Sequence, residues 1–170
     1  MNGYWYPWGV GVNGNTSGDY VAAWRHVHDV FAQVGATNVV WLWSPNIIRS
    51  LPRVGLADLY PGDAYVDWVG LTGYAKPEST ADAVFQPTIN RLRRFTTKPL
   101  LITETGAAPG PQKAPFTADL LAWTAARTDV LGFVWFEKTN PGSRADWRFE
   151  SDPGSLAAMR TGLDNFPLAG

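Results

Sequence analysis

Short, nearly unbroken apolar runs alternate with longer stretches of helical period, and this alternation limits the chain to few folds. The apolar runs fall at 39–43, within 66–74 and centred on Val69-Gly70-Leu71, at 100–103 and at 131–136. Helical segments are predicted over 19–34, within 80–95, over 115–127 and over 155–163, with a short helical turn near 57–60. Asp19 is expected to cap the first helix, whose Ala23, Val27, Val30, Phe31 and Val34 recur at helical spacing; Gly35 ends it. Pro115 suits a first helical turn, and Pro87 lies early in its helix or splits it. The opening stretch, 1–15, is rich in glycine and aromatics, lacks a helical period and reads as a long loop. Strand followed by helix, repeated, predicts an α/β fold with a parallel sheet. The apolar strands fit a sheet whose two faces are covered, one by helices and the other by a packed interior.

In such folds the chemistry gathers at the C-terminal ends of the strands. Those ends carry Ser44 and Asn46, then Tyr74, then Glu104, then Glu137. The chain has 14 Lys and Arg against 15 Asp and Glu, a balance that points to neither a nucleic-acid backbone nor an anionic membrane as partner. It has no cysteine, which excludes disulfides, thiolate catalysis and Cys-based metal sites. No metal cluster, nucleotide loop or cofactor motif is found: Gly9-Val10-Gly11 reads as loop, and His26 and His28 lie on a helix without a ligand partner. Nine Trp, six Tyr and eight Phe suit either a large aromatic core or a surface that stacks on sugar rings.

Glu104 closes an apolar strand, where a carboxylate is costly unless it is paired or hydrogen-bonded. A salt bridge to a barrel arginine would satisfy it. So would catalysis. Retaining glycosidases place two carboxylates about 5–5.5 Å apart, one attacking the anomeric carbon and one protonating the leaving oxygen. The attacking carboxylate must stay ionised and needs nearby donors; Tyr74, on the adjacent strand end, is the natural one.

With these positions placed, the chain resembles the C-terminal part of glycoside hydrolase family 26, whose best-known members are endo-β-1,4-mannanases. The matching runs are MNGYWYPWG from Met1, DYVAAWRHVHDVF from Asp19, WLWSPN from Trp41, LYPGDAYVDWVGLTGY from Leu59, KPLLITETG from Lys98, GFVWFE from Gly132 and DWR from Asp146. They fall in family order over nearly the whole chain. The resemblance implies an incomplete (β/α)8 TIM barrel, one partial domain over 1–170 holding roughly the last four βα units. It implies Glu104 as nucleophile, Tyr74 as its hydrogen-bond donor, Trp5 as an aromatic lining the site and Trp135 as the sugar-stacking tryptophan. Trp43 and Asn46 are expected on the rim of the cleft. Trp41 and Trp68 read as packing residues, Asp63 and Asp67 as loop hydrogen-bonders, and Asp146 and Arg148 as a pin for the last loop.

In the family the opening motif reads His-Glu-Met-Asn-Gly, and its Glu is the general acid/base. That position is expected one residue before Met1. A complete barrel takes about 250 residues, so the first three strands and most of the fourth are expected to be missing too. Two expectations follow: dimerisation or poor solubility through the open barrel edge, and little ordinary mannanase turnover unless another carboxylate supplies the acid. Glu137 is the first candidate for that role, with Glu78 and Glu150 behind it. The leading function is thus a retaining β-glycanase acting on β-linked mannan. A cellulase-like or mixed-linkage glucanase and a non-catalytic carbohydrate-binding remnant are the alternatives. No signal peptide is visible; a full-length family member would be secreted.

Overall fold

A computed structural model describes residues 2–3, 5–48, 55–139 and 146–166. Four strands, β1 (Leu42–Trp43), β2 (Trp68–Tyr74), β3 (Leu100–Gly106) and β4 (Val130–Trp135), form one parallel sheet in the order β1-β2-β3-β4. Helix α1 (Ser17–Gln33) precedes β1, and α2 (Ala81–Leu92), α3 (Lys113–Ala125) and α4 (Pro153–Asp164) follow β2, β3 and β4; among the described residues only two short 3-10 turns, Ala57–Leu59 and Asp63–Tyr65, lie between β1 and β2. Sequential strands are thus neighbours, as in consecutive βα units of a barrel. Among the described residues, no helix is long and apolar enough to cross a membrane.

The core lies between the sheet and the helices. Val69, Leu71, Leu100 and Ile102 meet Phe85, Ile89 and Leu92 of α2 and Phe116, Leu120 and Leu121 of α3, all buried. The caps set where the helices begin. Thr80 Oγ1 accepts from Ala83 N and starts α2; Asp152 accepts from Ser155 N and starts α4. Pro87 lies inside α2 without splitting it. Gly162 lets α4 reach α3, because a Cβ there would come within 2.4 Å of Leu121 Cδ1.

Two local expectations are revised. The first helix is capped by Thr16, with Asp19 as the returning partner of a capping box: Asp19 N donates to Thr16 Oγ1 at 3.1 Å and Thr16 N to Asp19 Oδ2 at 2.9 Å. Its apolar stripe is also not core. No residue of α1 is buried, and Val27, Val30 and Phe31 are 47%, 40% and 39% exposed. The helix is held instead by Trp24 Nε1 and the Arg25 guanidinium, which donate to the carbonyls of Tyr65 and Pro61. Among the described residues β1 pairs with β2 alone, and just two residues of the predicted 39–43 run, Leu42 and Trp43, enter the ladder.

Candidate active site

Side-chain alternation alone would aim Glu104 the wrong way. Leu100 and Ile102 are fully buried against the helices, and two residues on, Glu104 would follow them. The ladder slips at this point: Leu71 of β2 opposes Ile102, but the next residue, Thr72, opposes Glu104. One extra residue, Thr103, is accommodated, and the bulge reverses the parity beyond it. Thr103 therefore faces the barrel interior, where Oγ1 meets Ser44 Oγ at 2.5 Å. Glu104 faces the same way and accepts a short hydrogen bond from the Tyr74 hydroxyl. Gly70 makes room in this inner layer, since a Cβ would come within 2.6 Å of Ser44 Cβ and 2.7 Å of Thr103 Cγ2.

Tyr74 and Glu104 are both half-buried at the C-terminal rim, on adjacent strands. Around Tyr74 stand two more rings: Phe136 at 5.9 Å, edge-on, and Trp147 at 4.9 Å. Trp147 also covers Gly106, where a Cβ would touch its ring at 3.4 Å. Sequence reasoning missed Trp147. It belongs to an irregular segment without period, and its only signal was its place between Asp146 and Arg148.

The N-terminal loop is fastened to the end of β1 by a reciprocal pair of bonds. Asn2 Nδ2 donates to Asn46 O at 2.8 Å, and Asn46 N donates to Asn2 Oδ1 at 2.9 Å. Asn46 thus anchors the loop through its backbone at the rim. The loop presents Trp5, Tyr6 and Trp8, each about half exposed, with the Tyr6 and Trp8 rings stacked at 4.5 Å. Trp5 folds its ring over Gly3.

Three predicted site residues point elsewhere. Trp43 is fully buried against Tyr60 and Phe95; Ser44, its neighbour, takes the interior direction, so Trp43 belongs to the outer core and not to the cleft. Trp135 is buried between Phe116 and Phe149, with Nε1 donating to Trp147 O at 2.7 Å, so it supports the rim from behind rather than offering a ring to a sugar. Glu137 follows the parity of Trp135. It accepts from Phe149 N at 3.1 Å and lies beside Glu150 and Lys113, not beside Glu104. Asp63 and Asp67 are loop hydrogen-bonders, as predicted: Asp63 accepts from Tyr60 and Thr96, Asp67 from Trp41 N. Asp146 and Arg148 pair with each other at 2.8 Å. Among the described residues, no group of His, Asp and Glu is arranged to hold a metal ion.

Partial burial, and then the Glu150 carboxyl beside it, push Glu137 up to about 7. Glu150 is lowered, first by the hydrogen bond from Glu137, so the two share one proton. The folded chain therefore keeps a proton on Glu137 that the unfolded chain releases above its ordinary 4.5. Stability from this group is fully present below that value and is lost as pH rises through about 7. Glu150 acts in the opposite sense, losing its contribution only in more acidic solution. The melting temperature is expected to fall between about pH 5 and about pH 8, and Glu137→Gln to flatten that decline. An equal decline in Glu137→Gln, followed by circular dichroism, would assign the effect to other groups.

A carboxylate gripped by a tyrosine at the C-terminal rim of a parallel α/β sheet, with the Trp147 indole packed on that tyrosine, suits a carbohydrate-active barrel. The sequence profile of glycosyl hydrolase family 26 matches residues 1–140, and the chain belongs to that family. Endoglucanase H of Acetivibrio thermocellus is 34% identical over 95% of this chain and 19% of its own length. A mannan endo-1,4-β-mannosidase of Bacillus subtilis is 28% identical over 72% of this chain and 36% of its own. A solved Cellulomonas fimi endo-β-1,4-mannanase double mutant superposes on 98% of this chain and 39% of its own, with a TM-score of 0.65 and 22% identity. The fold is therefore part of a TIM barrel, and the chain spans well under half the length of these relatives.

Proposed function

We propose that the chain carries the nucleophile side of a retaining β-glycanase site. Glu104 attacks the anomeric carbon as the leaving oxygen takes a proton from the acid side of the site or from solvent, giving a glycosyl-enzyme; water then attacks, returns a proton to that source and releases the sugar with net retention. Tyr74 holds the attacking oxygen in place through its hydroxyl. Trp147, packed on Tyr74, and the half-exposed Trp5 of the N-terminal loop offer rings to the sugars that flank the scissile bond. The observation that carries this reading is the Tyr74–Glu104 hydrogen bond, made at the ends of two neighbouring strands where a register slip turns Glu104 inward.

β-1,4-Mannan is the favoured substrate, because the opening and nucleophile motifs resemble those of mannanases and a mannan endo-1,4-β-mannosidase is among the relatives. A β-glucan is the second reading, supported by the endoglucanase at 34% identity. Sugar release from mannan, mixed-linkage glucan and cellulose, compared at equal protein concentration, decides between them. Faster release from mannan supports the first reading; faster release from either glucan supports the second. Binding of mannan with no turnover, even of aryl mannosides, would instead mark a carbohydrate-binding remnant. Glu137 is set against Glu150 and takes no catalytic step.

The open sheet also suggests a partner. Beyond β1, Val40 is 54% exposed and α1 adds Val34 at 75%. Beyond β4, Leu131, Val134 and Leu163 are 49–54% exposed beside an apolar groove lined by Gly132, Phe133, Met159 and Phe166. Two such four-stranded units supply the eight strands of a barrel. The 170-residue chain on its own is expected to sediment as a dimer or larger species at tens of micromolar. A monodisperse monomer at that concentration would contradict this.

A further inference from the structure

Lys113 is 1% exposed, yet among the described residues its ammonium meets no carboxylate in a salt bridge. It lies in the first turn of α3, where a positive charge opposes the helix dipole, and burial lowers its pKa despite Asp146, Asp152, Glu137 and Glu150 nearby. Such a placement is costly, and its three donors show what it serves. Nζ donates to Asp146 O at 2.9 Å, to Arg148 O at 2.6 Å and to Ser151 Oγ at 3.1 Å. All three ammonium protons are used.

The two carbonyls it grips belong to the residues on either side of Trp147. The carbonyl between them, that of Trp147 itself, accepts from Trp135 Nε1, and Trp147 N donates to Lys138 O at 3.0 Å. Three successive carbonyls are thus held from the helix side. This leaves the Trp147 indole directed at Tyr74 and Gly106. Among the described residues, the segment has only an isolated antiparallel bridge from Asp146 to Thr139 as backbone pairing, and the buried cation supplies the bonds to the carbonyls on both sides of Trp147.

We infer that Lys113 is a positioning residue: it clamps the backbone on both sides of Trp147 and so sets that indole beside Tyr74 and Glu104 as a sugar-stacking platform. The last clause rests on the proposed glycanase reading; the clamp itself does not. A lysine is suited to the task because its compact ammonium satisfies three convergent oxygens that a planar guanidinium would not fit.

The test uses the chain labelled with fluorotryptophan and followed by fluorine NMR, with Trp147→Phe identifying the Trp147 signal among the nine. In Lys113→Met the Trp147 signal is expected to move or broaden while that of buried Trp43 stays. Binding of β-1,4-mannohexaose, read from the indole signals, is expected to weaken about tenfold. An unchanged Trp147 signal overturns the clamp, and so does an equal shift of both signals in a folded variant. If Lys113→Met fails to fold, Ser151→Ala removes one of the three acceptors; movement of Trp147 alone supports the clamp, and no movement overturns it. If the parent chain gives no response to mannohexaose, the glycanase reading fails, while the unliganded spectra still decide the role of Lys113.

Discussion

Glu104→Ala is expected to slow hydrolysis of dinitrophenyl β-mannoside by at least about a thousandfold, with the fold intact by circular dichroism. Dinitrophenolate leaves without protonation, so this substrate reports attack at the anomeric carbon and little else. The size of the effect follows from the mechanism: without the carboxylate no glycosyl-enzyme forms, whereas a residue that only orients substrate costs far less. Azide should restore turnover of Glu104→Ala and give the α-glycosyl azide, because the small anion attacks directly in the space the side chain vacates. Tyr74→Phe keeps the ring against Phe136 and Trp147 and loses only the hydroxyl. Its cost is expected at about tenfold to a hundredfold in kcat, the worth of one hydrogen bond to a charged group. If Glu104→Ala turns over as fast as the parent chain, the nucleophile lies elsewhere.

The second large effect falls on stability. Trp43→Ala is expected to cost about 3–5 kcal/mol in denaturant unfolding, because it empties a fully buried site between Tyr60 and Phe95. In a chain of this size that is a large part of the total stability. Trp43→Phe refills most of the volume and should retain sugar affinity unchanged. Weaker mannohexaose binding by a folded Trp43→Phe would return Trp43 to the cleft. The contrast with Trp147→Phe, which is expected to reduce sugar binding and leave stability nearly unaltered, separates a core indole from a rim indole.

These two tryptophans show how much could be read from the residues. Strand identity came from the apolar runs, and all four strands, their parallel sense and the four main helices follow from period and turn residues. The direction of individual side chains did not. Trp43 and Trp135 each end a strand, and the family resemblance made them site candidates, but strand parity turns both outward. Glu104 has the parity of buried Leu100 and Ile102, and only the slip opposite Thr72 brings it inward. A bulge of one residue leaves no mark on hydrophobic period. Glu104 was singled out by its place at a strand end, and the resemblance to a glycosidase family gave it the nucleophile role; period alone would have turned it into the core.

The stripe on α1 failed for another reason. Val27, Val30 and Val34 have the spacing of a core-facing helix, but period cannot say which neighbour meets the stripe. Lys113 and Trp147 were invisible for a third. A lysine after Gly110-Pro111-Gln112 reads as a solvated helix start, and the segment it clamps has no period at all.

In the proposed mechanism Glu104 forms the covalent bond to the sugar. The most direct measurement is intact-protein and peptide mass spectrometry after incubation with a deoxyfluoro mannosyl fluoride, whose good leaving group permits attack while its ring fluorine slows hydrolysis of the adduct. The predicted result is one sugar added per chain, on the peptide containing Glu104, and none on Glu104→Ala. A label on Glu137, Glu150 or any other residue, with Glu104 unmodified, would contradict it.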